Sequence, residues 1–188
     1  MINFKTVIQL EPLKSEHLEQ VVKLDQTCLG GLWTLSGYQR EIDSPHSNAL
    51  VLSLLPQQQI IGLGCFWSIL EEAHITLLAI EPDYQGQGLG KLLLYNLLFQ
   101  AREQKLERAT LEVKISNQIA LALYQKFGFK IAGIRKQYYQ KTQEDALILW
   151  QSGLNSPEFL ENLKTRQKEL ENSLKKHQWS WLNPVKTI

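Results

Sequence analysis

ITLLAIEPDYQGQGLGK, residues Ile75 to Lys91, decides how this chain reads. A β-rich run (Ile75 to Ile80) meets a turn at Glu81-Pro82-Asp83-Tyr84, then Gln85-Gly86-Gln87-Gly88-Leu89-Gly90-Lys91, and a leucine-rich helical segment starts at once. Glycines let the backbone approach a ligand closely and take φ > 0, while a helix start offers unpaired N–H groups and a positive dipole end. Strand, glycine turn and helix start together predict a site for a phosphate-bearing cofactor.

Two common nucleotide loops do not fit. A P-loop needs Ser or Thr after its lysine, and Lys91 is followed by Leu92. The dinucleotide fingerprint needs its third glycine one residue later, and Gln100 to Gln104 hold no ribose-binding acid in an obvious strand. The spacing instead resembles the acetyl-CoA pyrophosphate loop of the GCN5-related N-acetyltransferases, Gln/Arg-x-x-Gly-x-Gly/Ala, which Gln85, Gly88 and Gly90 fill.

Composition agrees with an ordinary globular enzyme. At 188 residues the chain can bury one good core. A net charge of +1 gives no electrostatic reason to expect direct nucleic-acid binding or an anionic membrane as partner. Cys28 and Cys65 have no metal-ligand spacing and read as reduced thiols, which predicts a cytoplasmic protein. Met1 to Leu10 lack a signal-peptide pattern, and the apolar stretch around Ile60 to Leu70 is too short to span a bilayer. His17, His46, His74 and His177 are scattered, so no metal is expected.

Elements alternate as an α/β domain requires. Strands are expected at Phe4–Leu10, Ala49–Leu55, Ile60–Ile69, Ala73–Ile80, Ala109–Ile115, Phe129–Arg135 and Ala146–Trp150. Helices are expected after an N-cap at Ser15, from Thr34 through Ile42, from Leu89 to Gln104 and from Gln118 to Phe127. The third is apolar on so broad a front that it needs cover beyond a sheet. A further amphipathic helix, capped by Ser156 with Pro157 at its first position, belongs to a C-terminal extension over 153–188, beyond a domain of 1–152. Its Phe159, Leu160, Leu163, Leu170 and Leu174 stripe either packs on the domain or pairs with a second copy, so a monomer or weak dimer is expected. Trp179 and Trp181 are candidate anchors.

Two residues carry candidate chemistry. Alternation in Thr110 to Ile115 puts Glu112 opposite the face of Leu111, Val113 and Ile115. Taken alone, Glu112 reads as a solvated strand residue and Tyr124, on the stripe of Ala120, Leu123 and Phe127, as core. Their surroundings add more. Leu111-Glu112-Val113, Ser116-Asn117, Ala120, Ala122-Leu123-Tyr124 and Phe127-Gly128-Phe129 resemble the second half of the same acetyltransferase fold. With Trp33, Ile80 to Gln85, Arg135 and Tyr138-Tyr139, and Glu144-Asp145-Ala146, they resemble more narrowly the bacterial ribosomal-protein-alanine N-acetyltransferases, from Phe4 to Trp150.

That resemblance implies a mixed, mostly antiparallel sheet flanked by helices, with the C-terminal helix as an addition. It implies acetyl transfer from acetyl-CoA to a protein N-terminal amine, the alanine of a small-subunit ribosomal protein. Glu112 would be general base and Tyr124 general acid. Leu78, Ala79 and Ile80 would align the acetyl and pantetheine arm. Gly86, Gln87, Gly88, Leu89, Gly90 and Lys91 would hold the pyrophosphate after Gln85, Lys91 chiefly through its main-chain N–H, with its side chain either touching the phosphates or solvated. Asn117 would touch the cofactor, cap its helix, or both. Trp33, Tyr138 and Tyr139 would wall the peptide. Gly86 replaces a frequent arginine, removing one cation near the phosphates. Lysine or small-amine acetylation by the same fold, and a non-catalytic acetyl-CoA-binding module, are the alternatives.

Overall fold

A computed structural model describes residues 6–182. Its centre is an eight-stranded sheet of β1 (Thr6–Pro12), β2 (Ser47–Leu55), β3 (Gln59–Ile69), β4 (Glu72–Ile80), β5 (Arg108–Lys114), β6 (Lys130–Tyr139), β7 (Glu144–Ser152) and β8 (Trp179–Leu182). The order is β6-β7-β5-β4-β3-β2-β1-β8. Only β4 with β5 and β1 with β8 run parallel; every other neighbouring pair is antiparallel. The mixed sheet matches the expected fold class.

Helices cover both faces. α1 (Leu18–Leu29) and α2 (Leu35–Asp43) lie on one, where Val21, Leu24 and Tyr38 bury against Val51, Leu63 and Leu77. α3 (Leu89–Glu103), α4 (Gln118–Lys126) and α5 (Pro157–Lys176) contribute to the larger core on the other. The broad apolar front of α3 is explained there: Leu92, Leu93, Leu97 and Leu98 are buried in a core that also takes Leu163, Leu170 and Leu174 of α5.

Most boundaries fall within a residue or two of expectation, and the differences have local causes. β1 begins later and runs to Pro12; Phe4 and Lys5 of the expected strand lie outside the described residues. Ser15 does not cap α1. It opens a single 3-10 turn, Ser15–His17, whose N-cap is Lys14, with the Lys14 N–H donating to Nδ1 of His17. Thr34, Asn117 and Ser156 do cap their helices, accepting from the N–H groups of Gly37, Ala120 and Phe159. β6 runs four residues past Arg135, because a register irregularity between Arg135 and Tyr139 lets the strand resume at Glu144 of β7. The C-terminal segment is more than a helix: Trp179 to Leu182 form β8 beside β1.

The sheet itself positions the site. Pairing of β4 with β5 extends only from Glu72 and Arg108 to Ile75 and Leu111. Beyond Ile75, β4 keeps β3 on one side through Gly64, Leu63 and Gly62, opposite Leu78, Ala79 and Ile80. Its other edge has no described strand partner. A bulge at Thr76, between the pairs Phe66–Ile75 and Cys65–Leu77, turns the strand over at this point. Ile75 therefore faces the α3 side and Leu77 the α1 side.

Candidate active site

The glycine loop closes the open end of β4. Gly86 and Gly88 have φ of 73° and 90°, left-handed values that a side chain disfavours. Gln85 Nε2 donates to the carbonyl of Ile80 at 2.9 Å, and Gln87 Nε2 to that of Asp83 at 3.1 Å. Both glutamines are thereby folded back onto the turn. The first bond of α3 runs from the Leu92 N–H to the carbonyl of Gly88, so the N–H groups of Leu89, Gly90 and Lys91 form the open first turn of the helix. Open main-chain donors and a helix dipole are the chemistry a pyrophosphate needs. Asn117 caps α4, its Oδ1 accepting from Ala120 N–H at 3.1 Å.

Glu112 is not a solvated strand residue. Its side chain is only 8% exposed, and each of its two oxygens meets a nitrogen: Oε2 lies 2.9 Å from His74 Nε2 and Oε1 lies 3.0 Å from the Arg135 guanidinium. The His74 hydrogen bond lowers the Glu112 pKa first, with Coulombic help from His74 and Arg135 against the opposing effect of burial. The same bond raises His74, aided by the charges of Glu112 and Glu72 and opposed by burial and Arg135. Both shifts favour the charged pair.

Tyr124 is buried, 7% exposed, with its ring edge-on to Phe129 at 5.8 Å. Burial raises its pKa far above the phenolic range, and the charge of Tyr139 adds to this. The Tyr139 hydroxyl donates to the main-chain carbonyl of Glu112 at 3.4 Å. Its own pKa is pushed up to about 12, mainly by burial. Tyr138 meets Tyr139 edge-on at 5.3 Å, is 43% exposed, and takes Arg135 over its ring at 5.5 Å.

Trp33 stacks on Trp67, 6.1 Å between centroids and 6° between planes, and meets Tyr38 edge-on at 5.2 Å. Trp67 in turn lies 6.4 Å from His74. An unbroken line of side chains thus runs from Trp33 to Glu112. Trp33 and Trp67 wall a groove of about 720 Å³, with Arg40, Glu41 and His46 along it. Lys141 at the β6–β7 turn donates to the carbonyl of Gly30 at 2.9 Å, joining that turn to the loop before Trp33.

Four residues of this arrangement were not singled out from sequence as site residues. His74 lies one position before the last paired residue of β4, and its partner arrives from β5. Trp67 comes from β3. Asp25, 0% exposed, accepts from the N–H groups of Leu32 and Trp33 at 2.9 and 2.8 Å and so fixes the loop that carries Trp33. Cys28 Sγ donates to the carbonyl of Ile80 at 3.4 Å, beside the end of β4. Among the described residues no group of three or more His, Cys, Asp or Glu is placed to hold a metal, and no helix is long and apolar enough to cross a membrane.

The sequence profile of the acetyltransferase (GNAT) family matches residues 18–129. A putative ribosomal protein bS18-alanine N-acetyltransferase of Bacillus subtilis is 33% identical over 147 residues, covering 78% of this chain and 96% of that protein. The ribosomal protein bS18-alanine N-acetyltransferase of Haemophilus influenzae is 36% identical over 146 residues, covering 76% and 95%. The crystal structure of the ribosomal-protein-S18-alanine N-acetyltransferase from Escherichia coli superposes with a TM-score of 0.70 at 27% identity, covering 77% of this chain and 93% of that one. With its glycine loop at the open end of β4, this chain belongs to the acetyltransferase (GNAT) family, on the branch of the bacterial ribosomal-protein-alanine N-acetyltransferases.

Proposed function

We propose that the chain transfers acetyl from acetyl-CoA to the N-terminal α-amine of a protein, the first alanine of a small-subunit ribosomal protein being the substrate that its relatives' names point to. The observation that carries the chemistry is Glu112, an ionised carboxylate on β5 close to where that strand leaves β4. The acetyl and pantetheine arm lies along the free edge of Leu78, Ala79 and Ile80, and the pyrophosphate sits on the N–H groups from Gly86 to Lys91. Asn117 borders the far arm from the start of α4.

An N-terminal ammonium has a pKa of about 8 against about 10.4 for lysine, so it needs less help to lose its proton. Glu112, held ionised by His74 and Arg135, takes that proton directly or through a water. The amine then attacks the thioester carbonyl. The C–N bond forms as the C–S bond breaks, with a main-chain N–H near Ile80 facing the developing oxyanion. Tyr124 gives the departing thiolate its proton, and the second proton that the acylated nitrogen must release restores the phenol. Burial keeps the phenol protonated until the thiolate forms.

Trp33, Tyr138 and Tyr139 hold the first residues of the acceptor. The protein works in the cytoplasm, where ribosomal proteins are made, as a monomer or weak dimer. Release of CoA with an alanine-initiated peptide, and the acetyl located by mass spectrometry, tests this reading. Acetylation at the α-amine alone supports it, whereas turnover only on an N-terminally blocked, lysine-containing peptide moves the enzyme to lysine acetylation.

A further inference from the structure

The relatives are matched over 95 to 96% of their own length but only 76 to 78% of this one, which leaves room here for the α5–β8 segment as an addition. No described residue of that segment lines the groove of Trp33 and Trp67. α5 packs along α3, where Tyr95 donates to Gln167 Oε1 at 3.2 Å and Leu163, Leu170 and Leu174 are each 1% exposed. With its leucines covered by its own domain, the stripe is not a seam for a second copy.

The end of α5 reaches the cofactor loop. A Cβ placed on Gly88 would lie 2.8 Å from Ser173 Oγ and 3.9 Å from Leu174 Cδ2, so α5 occupies the space that the glycine leaves. The chain then turns into β8, where Trp179 packs 6.3 Å from Tyr84, at the other end of the same loop. Trp179 is itself fixed by parallel pairing with Thr6. One C-terminal unit thus touches the turn before the glycines and Gly88, the residue that caps α3.

This contact has a physical consequence. A glycine-rich loop has more backbone freedom than other sequences, and ordering its N–H groups round an anion costs entropy at the moment of binding. A wall that already limits the loop moves that cost into folding, and the anion then binds a preset cradle. Resting on the acetyl-CoA reading above, we propose that the α5–β8 segment is a buttress of the pyrophosphate loop, with Ser173, Leu174 and Trp179 as positioning residues for the cofactor.

Binding of CoA by calorimetry, with hydrogen exchange across residues 85–91 in the ligand-free protein, tests this without any acceptor. Ser173→Leu drives bulk toward Gly88, Trp179→Ala releases Tyr84, and Lys168→Ala on the exposed face of α5 is the control. The first two should weaken CoA about tenfold, the scale of one phosphate-holding hydrogen bond, and speed exchange at 85–91 ahead of the rest of the domain. Unchanged CoA affinity and loop exchange in folded Ser173→Leu would overturn the inference. So would faster exchange spread evenly over the domain, which would make α5 a general stabiliser. If the unaltered protein binds no CoA, the functional reading and this inference fall together; if it binds CoA and the variants bind equally well, only this inference falls.

Discussion

His74 and Glu112, thirty-eight positions apart in the chain, meet at 2.9 Å across the last paired turn of β4 and β5. The pair makes stability depend on pH from both sides. The Glu112 contribution is complete above the ordinary carboxylate value of about 4 and is lost as pH falls through its lowered folded value. The His74 contribution is complete below the ordinary imidazole value of about 6.5 and is lost as pH rises through its raised folded value. His74→Gln should therefore destabilise most between about pH 5 and 6.5, by about 1 kcal/mol for a half-buried charged hydrogen bond. The gap to the unaltered protein should narrow toward pH 8.5. Thermal unfolding over that range decides it, and a gap independent of pH would mean that His74 acts by packing alone.

Turnover depends on the same carboxylate. Glu112→Gln keeps the shape but takes away the base, and should lower kcat by about 10²- to 10⁴-fold. Affinity for acetyl-CoA should stay within about twofold, because the proposed phosphate donors are main-chain groups on α3 and its preceding loop. The variant also loses the ion pairs to His74 and Arg135, so kinetics belong well below its own melting temperature. Equal loss of turnover and cofactor binding would make Glu112 a structural residue.

Tyr124→Phe separates packing from proton donation. The ring keeps its edge-on contact with Phe129, so stability should change little. Without the phenol the thiolate departs unprotonated, and kcat should drop about 10²-fold with the KM for acetyl-CoA nearly unchanged. A kcat equal to that of the unaltered enzyme would remove Tyr124 from the mechanism.

What was legible in the sequence followed local pattern, and what was hidden followed pairing at a distance. Period-2 alternation put Glu112 on the face away from Leu111 and Val113, and caps at Thr34, Asn117 and Ser156 were readable because each bonds an N–H three residues on. The glycine spacing likewise located the loop before α3. His74 escaped notice because its meaning comes from register between β4 and β5, which composition does not reveal. Alternation also fails at Thr76, where the bulge swaps the faces of β4. Ser15 looked like a cap by residue type, yet the His17 ring took the Lys14 N–H and a 3-10 turn formed first. β8 is four residues long and pairs with the first strand of the chain, so its partner lies at the opposite end of the sequence. Asp25 sits on a helix among polar neighbours and reads as solvated, until the chain folds back and presents Leu32 and Trp33 to it.

Asp25 should prove to set acceptor specificity without touching the acceptor. Its carboxylate is buried and accepts the two N–H groups that fix the loop carrying Trp33. Asp25→Ala leaves both donors without an acceptor and should destabilise the fold by about 2 to 4 kcal/mol. It also frees Trp33 from its stack on Trp67. In protein that remains folded, the KM for an alanine-initiated peptide should rise about tenfold, while the KM for acetyl-CoA stays put. Asp25→Asn keeps one acceptor and should fall between the two. Trp33→Ala should reproduce the peptide effect with a smaller loss of stability, because it removes the wall and leaves Asp25 its hydrogen bonds. If Asp25→Ala raised both KM values alike, the loop would be supporting the whole cleft and Trp33 would not be a peptide wall.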